Sequence, residues 1–491
     1  MKLILAASGA LVAYLGWRSL GWPLIHDAPI MHYVAWLIAR GATPYREAFD
    51  MNLPGAYLIH WAVLATGGPG DLAWRLFDLL WLAAACALLF VYCRPLADRW
   101  AAAAAATLFA LYHLSGGAWR VGQRDFLLCL FLLLGVLGVA RSLERGGALG
   151  PLLWAGMALG AGMTVKPQSG ALWIACAAAA AWGAWRHRRS VAAATVTVLG
   201  GGLVVPALVF GWLGWRGGVG AFIAILTGYV LPLYGRLERV SPWQAIGWVR
   251  YGWQLWALAG ALGILALVAP APVGTGPRKA LALIGIGYGW LHFQLQGKGW
   301  EYHLYPLALF LCALVPLAVT AAAERRAQLP ARVRRAAGHA VWAALVLVLG
   351  AKGAEAVDAP WIADKVRRVD ALTRDLKPFV PAGATVQVMD VTEGGIHALL
   401  RLGARQPTRF LYDFHFFHDA TDARIQALRA EFTAGIEAGR PAAVVVLEDT
   451  WRRPGYDRLR ELPALSRLLD RAYTLAVEGD RYRIYAKRAD S

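Results

Sequence analysis

Charged residues and cysteines are both scarce in this sequence. Only 16% of its 491 residues are charged, 58% are hydrophobic, and the mean hydropathy is +0.46. Soluble globular chains have about a quarter of their residues charged. The five cysteines all lie in apolar runs and form neither a disulfide framework nor a Cys-x-x-Cys metal pattern. The composition excludes disordered, collagen-like and disulfide-scaffold proteins and indicates a polytopic membrane protein.

Acidic residues are especially few in the first 353 positions. This part holds 28 Lys and Arg against 11 Asp and Glu, whereas residues 354–491 hold 21 against 20. Positive charge that is confined to loops between apolar runs is a topology signal, not a nucleic-acid-binding face. We therefore expect no nucleic-acid partner, a cytoplasmic N-terminus and an extracytoplasmic C-terminal region.

Apolar runs that are long enough to cross a bilayer recur throughout the first part of the chain. The first run is not followed by a small-residue cleavage site, which favours a retained helix over a signal peptide. About eleven spans are predicted. They lie at roughly 3–22, 71–93, 99–115, 125–141, 149–165, 169–185, 191–214, 246–270, 279–296, 303–322 and 336–352.

Residues 354–491 have a different pattern, which is typical of a small α/β domain. Two short buried strands, two helices and a strand that alternates as if exposed are predicted. These are Val386–Asp390, Ala442–Leu447, Asp364–Asp375, Ala420–Glu437 and Arg481–Lys487. The sequence thus predicts a membrane domain over 1–353, with a first outer loop at about 23–66, and a soluble domain over 354–491.

Two acidic residues lie at predicted outer ends of spans. Asp27 follows the first span, and Asp125 precedes another within Gly122-Gln-Arg-Asp125. A carboxylate at the rim of the bilayer, within reach of a lipid substrate and a water-phase acceptor, is suited to act as a general base. Each is also suited to cap a helix. The residues alone leave both interpretations open.

Other acidic residues are expected to be structural. Arg75 and Asp78 are three residues apart on one helix, so we expect them to form an ion pair. Asp50 and Asn52 are expected to hold a turn of the first outer loop.

Several motifs, taken together, resemble the GT-C glycosyltransferases, in particular the bacterial protein-mannosyltransferase-like and lipid A aminoarabinose transferase-like enzymes. An acidic residue, Asp27, follows the first span; the turn Gly41-Ala-Thr-Pro-Tyr45 and then Asn52-Leu-Pro-Gly55 come next. The later segments Gly122-Gln-Arg-Asp125, Lys166-Pro-Gln and Gln296-Gly-Lys-Gly-Trp-Glu-Tyr-His303-Leu-Tyr-Pro306 also fit. The resemblance covers about residues 10–320.

This resemblance implies a GT-C fold and the inverting transfer of a sugar from a polyprenyl-phosphate donor to a lipid, polysaccharide or protein acceptor at the outer face. It implies that Asp27 is the catalytic base and Asp125 the second acidic position. The residues expected to bind the donor phosphate are Lys298, Arg124 and Lys166, whose cations lie at predicted outer span ends. Those expected to contact substrate are His303, Tyr302, Glu301, Tyr45 and His26.

A metal ion is not required by this pattern. Some relatives carry two adjacent acids in the first loop, whereas here the neighbour of Asp27 is His26. A divalent cation therefore stays open as a cofactor. His415 and His418 form a His-x-x-His motif, for which aromatic packing or an acceptor-facing loop is the favoured interpretation and metal binding the alternative. Arg401, Arg405 and Arg409 are expected to be solvated.

Two other classes of function compete with the enzyme. A transporter would be expected to have internal repeats and polar residues near mid-membrane, and neither is found in the sequence. A non-catalytic scaffold of envelope polysaccharide assembly would be expected to lack Asp27. The Ala-, Arg- and Trp-rich composition suggests a bacterial inner membrane, with the site and the C-terminal domain facing the periplasm.

Overall fold

The computed structural model describes residues 2–96, 98–248, 253–268, 276–325 and 328–489. Most of these residues are helical, as the apolar runs predict. In chain order the helices are α1 (Lys2–Arg18), α2 (Ala28–Ala39), α3 (Pro54–Gly67), α4 (Asp71–Cys93), α5 (Arg99–Ser115), α6 (Arg124–Glu144), α7 (Leu149–Val165), α8 (Gly170–Arg186), α9 (Val191–Trp215), α10 (Val219–Ile225), α11 (Pro242–Trp248), α12 (Trp253–Val268), α13 (Pro277–Gln296), α14 (Tyr305–Arg325), α15 (Ala331–Val357), α16 (Pro360–Leu376), α17 (Gly395–Leu402), α18 (Ala423–Gly439) and α19 (Pro463–Ala472).

Several helical segments have the length and composition of a membrane span. Within the described residues, six of them meet both criteria, and three shorter apolar helices accompany them. The chain is therefore a multi-pass membrane protein. The number of eleven spans stays a prediction, and the predicted run at 246–270 includes residues 249–252 and 269–270, which lie outside the described residues. The six segments are Lys2–Gly21, Asp71–Cys93, Arg124–Glu144, Val191–Trp215, Glu301–Val319 and Ala331–Phe379.

The chain divides into two compact units. The first comprises Met1–Gly21, Arg75–Val209 and Arg239–Ala359; the second comprises Trp22–Trp74, Phe210–Glu238 and Pro360–Ser491. The first outer loop, which the sequence assigned to the membrane domain, is thus in the same unit as the C-terminal region.

Small residues allow the helices of the first unit to pack closely. A Cβ atom added to Gly160 of α7 would lie 2.3 Å from the carbonyl oxygen of Gly202 in α9. Close backbone approach of this kind is how helices associate where no water is present to drive them together. The segment Glu301–Val319 is buried along its entire apolar window, so it lies at the centre of this unit.

The second unit contains a four-stranded sheet in the order β1-β2-β4-β3. Its strands are β1 (Val386–Met389), β2 (Ala443–Leu447), β3 (Tyr473–Gly479) and β4 (Tyr482–Lys487). β1 and β2 are parallel, with Val386 opposite Ala443. β4 runs antiparallel to both β2 and β3. The two predicted buried strands and both predicted helices are confirmed.

The last predicted strand has a different environment from the one expected. The sequence predicts an exposed strand over Arg481–Lys487, but β4 is an inner strand, and Tyr482 and Ile484 are buried. The strand β3, which was not predicted, covers the edge that β4 would otherwise expose. Residues Asp480 and Arg481 join the two strands as a tight hairpin, with a positive φ of 63° at Arg481.

A buried charge network connects the N-terminal part of α4 with the C-terminal end of α5. Asp78 pairs with Arg75, as predicted, and both side chains are almost fully buried. The Asp78 carboxylate also contacts His113 Nε2 at 3.0 Å and accepts a hydrogen bond of 2.7 Å from the amide of Gly122. The Arg75 guanidinium donates to Ser19 Oγ at 2.6 Å. Buried charges are tolerated when partners of this kind replace water.

Replacing Asp78 by Ala should strongly destabilise the protein, because Arg75 would remain charged and buried without its counter-ion. The expected loss is about 3–5 kcal/mol. Glu437→Gln is the control, since it removes an ion pair between exposed side chains and should cost less than about 1 kcal/mol. Thermal unfolding of both variants in detergent, followed by tryptophan fluorescence, measures the difference. Equal melting temperatures would contradict the assignment.

Candidate functional site

Asp27 occupies the position before the first residue of α2. Pro29 follows in the first turn, and the amide of Met31 donates to the Asp27 carbonyl oxygen at 3.0 Å. The Asp27 carboxylate, however, makes no capping hydrogen bond to the helix. The residue therefore has the position of a helix cap, but its carboxylate does not perform that function.

The residues assigned to substrate contact in this loop lie in unusual backbone conformations. His26 has φ 60° and Tyr45 has φ 68°, in the left-handed region that few non-glycine residues adopt. The Tyr45 hydroxyl donates to the carbonyl oxygen of Asn52 at 2.7 Å, and its ring packs edge-on against Phe222 with centroids 5.0 Å apart. Tyr45 thus connects the two turns of the first outer loop and packs against Phe222 within the second unit.

Asp50 and Asn52 hold the turn that precedes α3, as the sequence predicts. Asp50 Oδ1 accepts hydrogen bonds from the Met51 amide at 2.6 Å and from Asn52 Nδ2 at 3.0 Å. Asp50 Oδ2 accepts from the Tyr57 hydroxyl at 2.8 Å. Because both oxygens serve this turn, Asp50 is a structural residue.

Asp125 lies in the first turn of α6 and is completely buried in the first unit. Lys166 Nζ is 3.0 Å from its Oδ2, and His292 Nε2 is 2.6 Å from its Oδ1. Gln296 Nε2 also donates to Oδ1 at 3.0 Å. These partners come from the end of α7 and from α13. Asp125 therefore joins three helix ends and is not a helix cap.

His303 lies in a turn of 3-10 helix, Glu301–Leu304, directly before α14. Its ring is buried, and Nδ1 has no hydrogen-bond partner within the part of the chain that the structure describes. Tyr302 is buried beside it, with ring centroids 4.6 Å apart. Glu301 is half-exposed and pairs with the buried Arg120.

The two other predicted phosphate-binding cations lie at helix ends. Arg124 is the first residue of α6 and is half-buried. Lys298 is buried in the turn after α13, between Gly297 with φ 65° and Gly299 with φ 68°. A Cβ atom at Gly297 would lie 3.0 Å from the Arg239 guanidinium carbon. The left-handed backbone conformation favours glycine before Lys298.

The sequence interpretation missed His292 as a partner of Asp125. His292 and Gln296 are four residues apart on α13, so they present their side chains on one face of the helix. Gln296 belongs to the segment that carries the family resemblance. A search one helical turn upstream of that segment would have identified the histidine.

A tyrosine hydroxyl lies between the two histidine rings of the His-x-x-His motif. The Tyr229 hydroxyl is 2.7 Å from His415 Nδ1 and 2.8 Å from His418 Nε2. Burial lowers the pKa of His415 well below its ordinary value, so its ring is neutral. Among the described residues, no three His, Cys, Asp or Glu side chains gather closely enough to hold a metal ion. The aromatic-packing interpretation describes this cluster.

Arg401 and Arg409, which the sequence predicts to be solvated, have side chains that are half-buried and paired with acidic residues, whereas Arg405 donates to the Arg40 carbonyl oxygen at 3.2 Å. Arg401 contacts Asp71 and Asp370, and Arg409 forms two hydrogen bonds with Glu431. The predicted site residues are divided between the units. His26, Asp27 and Tyr45 belong to the second unit, while Arg124, Asp125, Lys166, Lys298, Glu301, Tyr302 and His303 belong to the first.

Comparison with known proteins finds one family model and several solved structures that are similar to this chain. A family model described as dolichyl-phosphate-mannose-protein mannosyltransferase matches residues 52–215, which is less than half of the chain. The search among curated proteins found no match to this chain.

Solved structures match over nearly the whole chain. Apo ArnT from Cupriavidus metallidurans has a TM-score of 0.64 at 14% identity, and ArnT bound to undecaprenyl phosphate has 0.59 at 15%. Each match covers 99% of this chain and 98% of the other. The Archaeoglobus fulgidus oligosaccharyltransferase in complex with Zn and sulfate has 0.53 at 12% identity, over 90% of this chain and 68% of its own. The chain therefore has an ArnT-like GT-C fold, as its sequence predicts.

Proposed function

We propose that this protein is a glycosyltransferase that moves a sugar from a polyprenyl-phosphate donor to an acceptor hydroxyl at the periplasmic face of a bacterial inner membrane. The observation that carries the proposal is the position of Asp27, in a chain with the ArnT fold. Asp27 is an acid at the start of the first helix of the outer loop. Undecaprenyl phosphate, which one ArnT structure holds, is the lipid that remains when a donor of this class has lost its sugar.

In the proposed reaction, the Asp27 carboxylate accepts the proton of the acceptor hydroxyl. The hydroxyl oxygen attacks the anomeric carbon from the face opposite the phosphate, and the bond between that carbon and the phosphate oxygen breaks. The polyprenyl phosphate leaves with the bonding electron pair, so the sugar is transferred with inversion. A general base contributes most when it removes the proton as the new bond forms.

The leaving phosphate gains negative charge and is stabilised by cations. Lys298 and Arg124 are proposed to bind it, because charge-assisted contacts strengthen as this charge develops. Lys166 has three N–H donors, so contact with Asp125 is compatible with contact to a donor phosphate. Asp125 is proposed to hold Lys166 and His292 in place. His303, Tyr302, Glu301, Tyr45 and His26 are proposed to line the substrates.

Asp27→Asn should lower kcat by about 10²- to 10⁴-fold, since the amide cannot accept the acceptor proton. The assay uses the protein in liposomes with a panel of undecaprenyl-phosphate-linked pentoses and hexoses, and native membranes as the source of acceptor. Release of undecaprenyl phosphate is measured by mass spectrometry. Asp457→Asn, an exposed acid paired only with Arg460 in the described residues, is the matched control. Normal turnover by Asp27→Asn would reject the base assignment.

Lys298→Ala should weaken binding of undecaprenyl phosphate by roughly ten- to a hundredfold, because one charge-assisted contact is worth about 1.5–3 kcal/mol. Native mass spectrometry of the purified protein, titrated with undecaprenyl phosphate, gives the dissociation constant. Lys352→Ala is the matched control, as Lys352 pairs with exposed Glu355 on α15. Equal affinities in the two variants would assign Lys298 to membrane anchoring instead.

Lys166→Met should destabilise the protein by about 3–5 kcal/mol, because it leaves the buried Asp125 charge without its cation. The double variant Asp125→Leu, Lys166→Met should recover part of this loss, since no buried charge remains. A double-mutant cycle of melting temperatures measures the coupling. If the two effects simply add, Asp125 and Lys166 do not act as a pair.

A further inference from the structure

Asp71 is the point at which the first outer loop meets the C-terminal part of the second unit. It is the first residue of α4. Its Oδ1 accepts a hydrogen bond of 2.8 Å from the amide of Leu24, and His397 Nε2 lies 3.1 Å from the same oxygen. Arg401 Nη2 donates to Oδ2 at 3.0 Å. One carboxylate therefore connects the backbone upstream of Asp27 with two side chains of α17.

On the loop side, the hydrogen bond to Leu24 fixes the turn that leads into Asp27. Leu24 and Ile25 are buried, and His26 adopts φ 60°. The amide of Ala28 donates to the Ile25 carbonyl oxygen at 3.1 Å, which closes a turn around Asp27. Displacement of the Leu24 amide would therefore move the turn that contains the proposed base.

On the C-terminal side, the two partners of Asp71 are held firmly. His397 and Arg401 are four residues apart and lie on one face of α17. Burial is the main cause that lowers the pKa of His397. The neutral ring is expected to donate through Nε2 to Asp71, since Nδ1 has no hydrogen-bond partner in the described residues. Arg401 also contacts Asp370 of α16 at 2.5 Å.

A second connection reinforces the first. The Tyr33 hydroxyl, on α2, donates to the Ala404 carbonyl oxygen at 3.1 Å and accepts from the Gln406 amide at 3.0 Å. Helix α17 itself begins at a loop in which Asp390 accepts hydrogen bonds from the amides of Gly394 and Gly395. The turn around Asp27 and the helix that follows it are thus both attached to the chain segment at α17.

We propose that Asp71, held by His397 and Arg401 of α17, positions the Asp27 turn for sugar transfer, so that residues 360–491 serve the active site as a support. This inference rests on the proposed function of Asp27 as the base. Asp71 is a positioning residue, since it acts on the reaction through the backbone of Leu24. Displacement of a reacting group by about 1 Å can cost on the order of a hundredfold in rate.

The central test compares Asp71→Ala with Asp71→Asn in the liposome assay. Alanine removes the acceptor of the Leu24 amide, so kcat should fall by about a hundredfold, with little change in the KM for the donor. Asparagine retains an oxygen that can accept this hydrogen bond, so kcat should stay within about tenfold of wild type. His397→Ala and Arg401→Gln should each give a smaller loss. Arg471→Gln, which removes an exposed ion pair with Glu437 on other helices of the unit, is the matched control.

Amide hydrogen exchange of residues 22–28 in nanodiscs measures the hydrogen bond itself. Exchange should accelerate in Asp71→Ala and remain close to wild type in Asp71→Asn and Arg471→Gln. Unchanged exchange in Asp71→Ala would overturn the proposal. It would also be overturned by faster exchange with an unaltered kcat. If Asp71→Ala does not fold, Arg401→Gln, which changes a half-buried side chain, takes its place in both measurements.

The failure of the base assignment gives a different result from the failure of this inference. Normal turnover by Asp27→Asn rejects Asp27 as the base. In that case a low kcat with fast exchange in Asp71→Ala would still support positioning of the turn for another residue. A normal kcat in Asp71→Ala, together with an inactive Asp27→Asn, rejects the positioning role and leaves the base assignment intact.

Discussion

An ionised side chain inside an apolar helical bundle is stable only when groups of the protein replace the water that it has lost. Asp78 and Asp125 are both fully buried, and each satisfies this constraint with several partners. Asp78 contacts Arg75, His113 and the Gly122 amide, and Asp125 contacts Lys166, His292 and Gln296. Because these partners come from different helices, each acid fixes several helix ends relative to one another in the first unit.

The same constraint organises the second unit outside the spans. Asp390 accepts hydrogen bonds from backbone amides at the start of α17, and Asp413 is buried against Arg458 and Thr450. Burial raises the pKa of both carboxyl groups above their ordinary values. These contacts hold the ends of β1 and β2 and the loop that carries His415. The unit therefore has a rigid framework to which the first outer loop is attached.

Attachment of the first outer loop to the C-terminal residues has a functional meaning in the proposed enzyme. The backbone amide of Phe49 donates to the Arg409 carbonyl oxygen at 2.6 Å, in addition to the contacts of Asp71 and Tyr33. These hydrogen bonds hold the loop in one conformation relative to the C-terminal residues of the same unit. Preorganised groups of this kind lower a reaction barrier because they need no reorganisation when charge develops.

Local patterns predicted individual elements well. The run Ala442–Leu447 is continuous and β-branched, which predicts a buried strand, and β2 confirms it. Arg75 and Asp78 could be paired from sequence because their spacing on one helix is fixed. The pairing of Asp125 with Lys166 was not predictable, since the two lie on different helices. The inner position of β4 was missed because the weakly patterned β3 gave no signal for its partner.

The sequence by itself determined the membrane-spanning class, the helices and strands that follow local periodicity, and the acidic and basic residues available at helix ends. Only the tertiary structure decided which of these charges neutralise each other and that Asp71 connects Leu24 with α17. The physical reason is that periodicity and capping act over a few residues of chain. Ion pairs and hydrogen bonds between distant segments depend on the packing that brings those segments together.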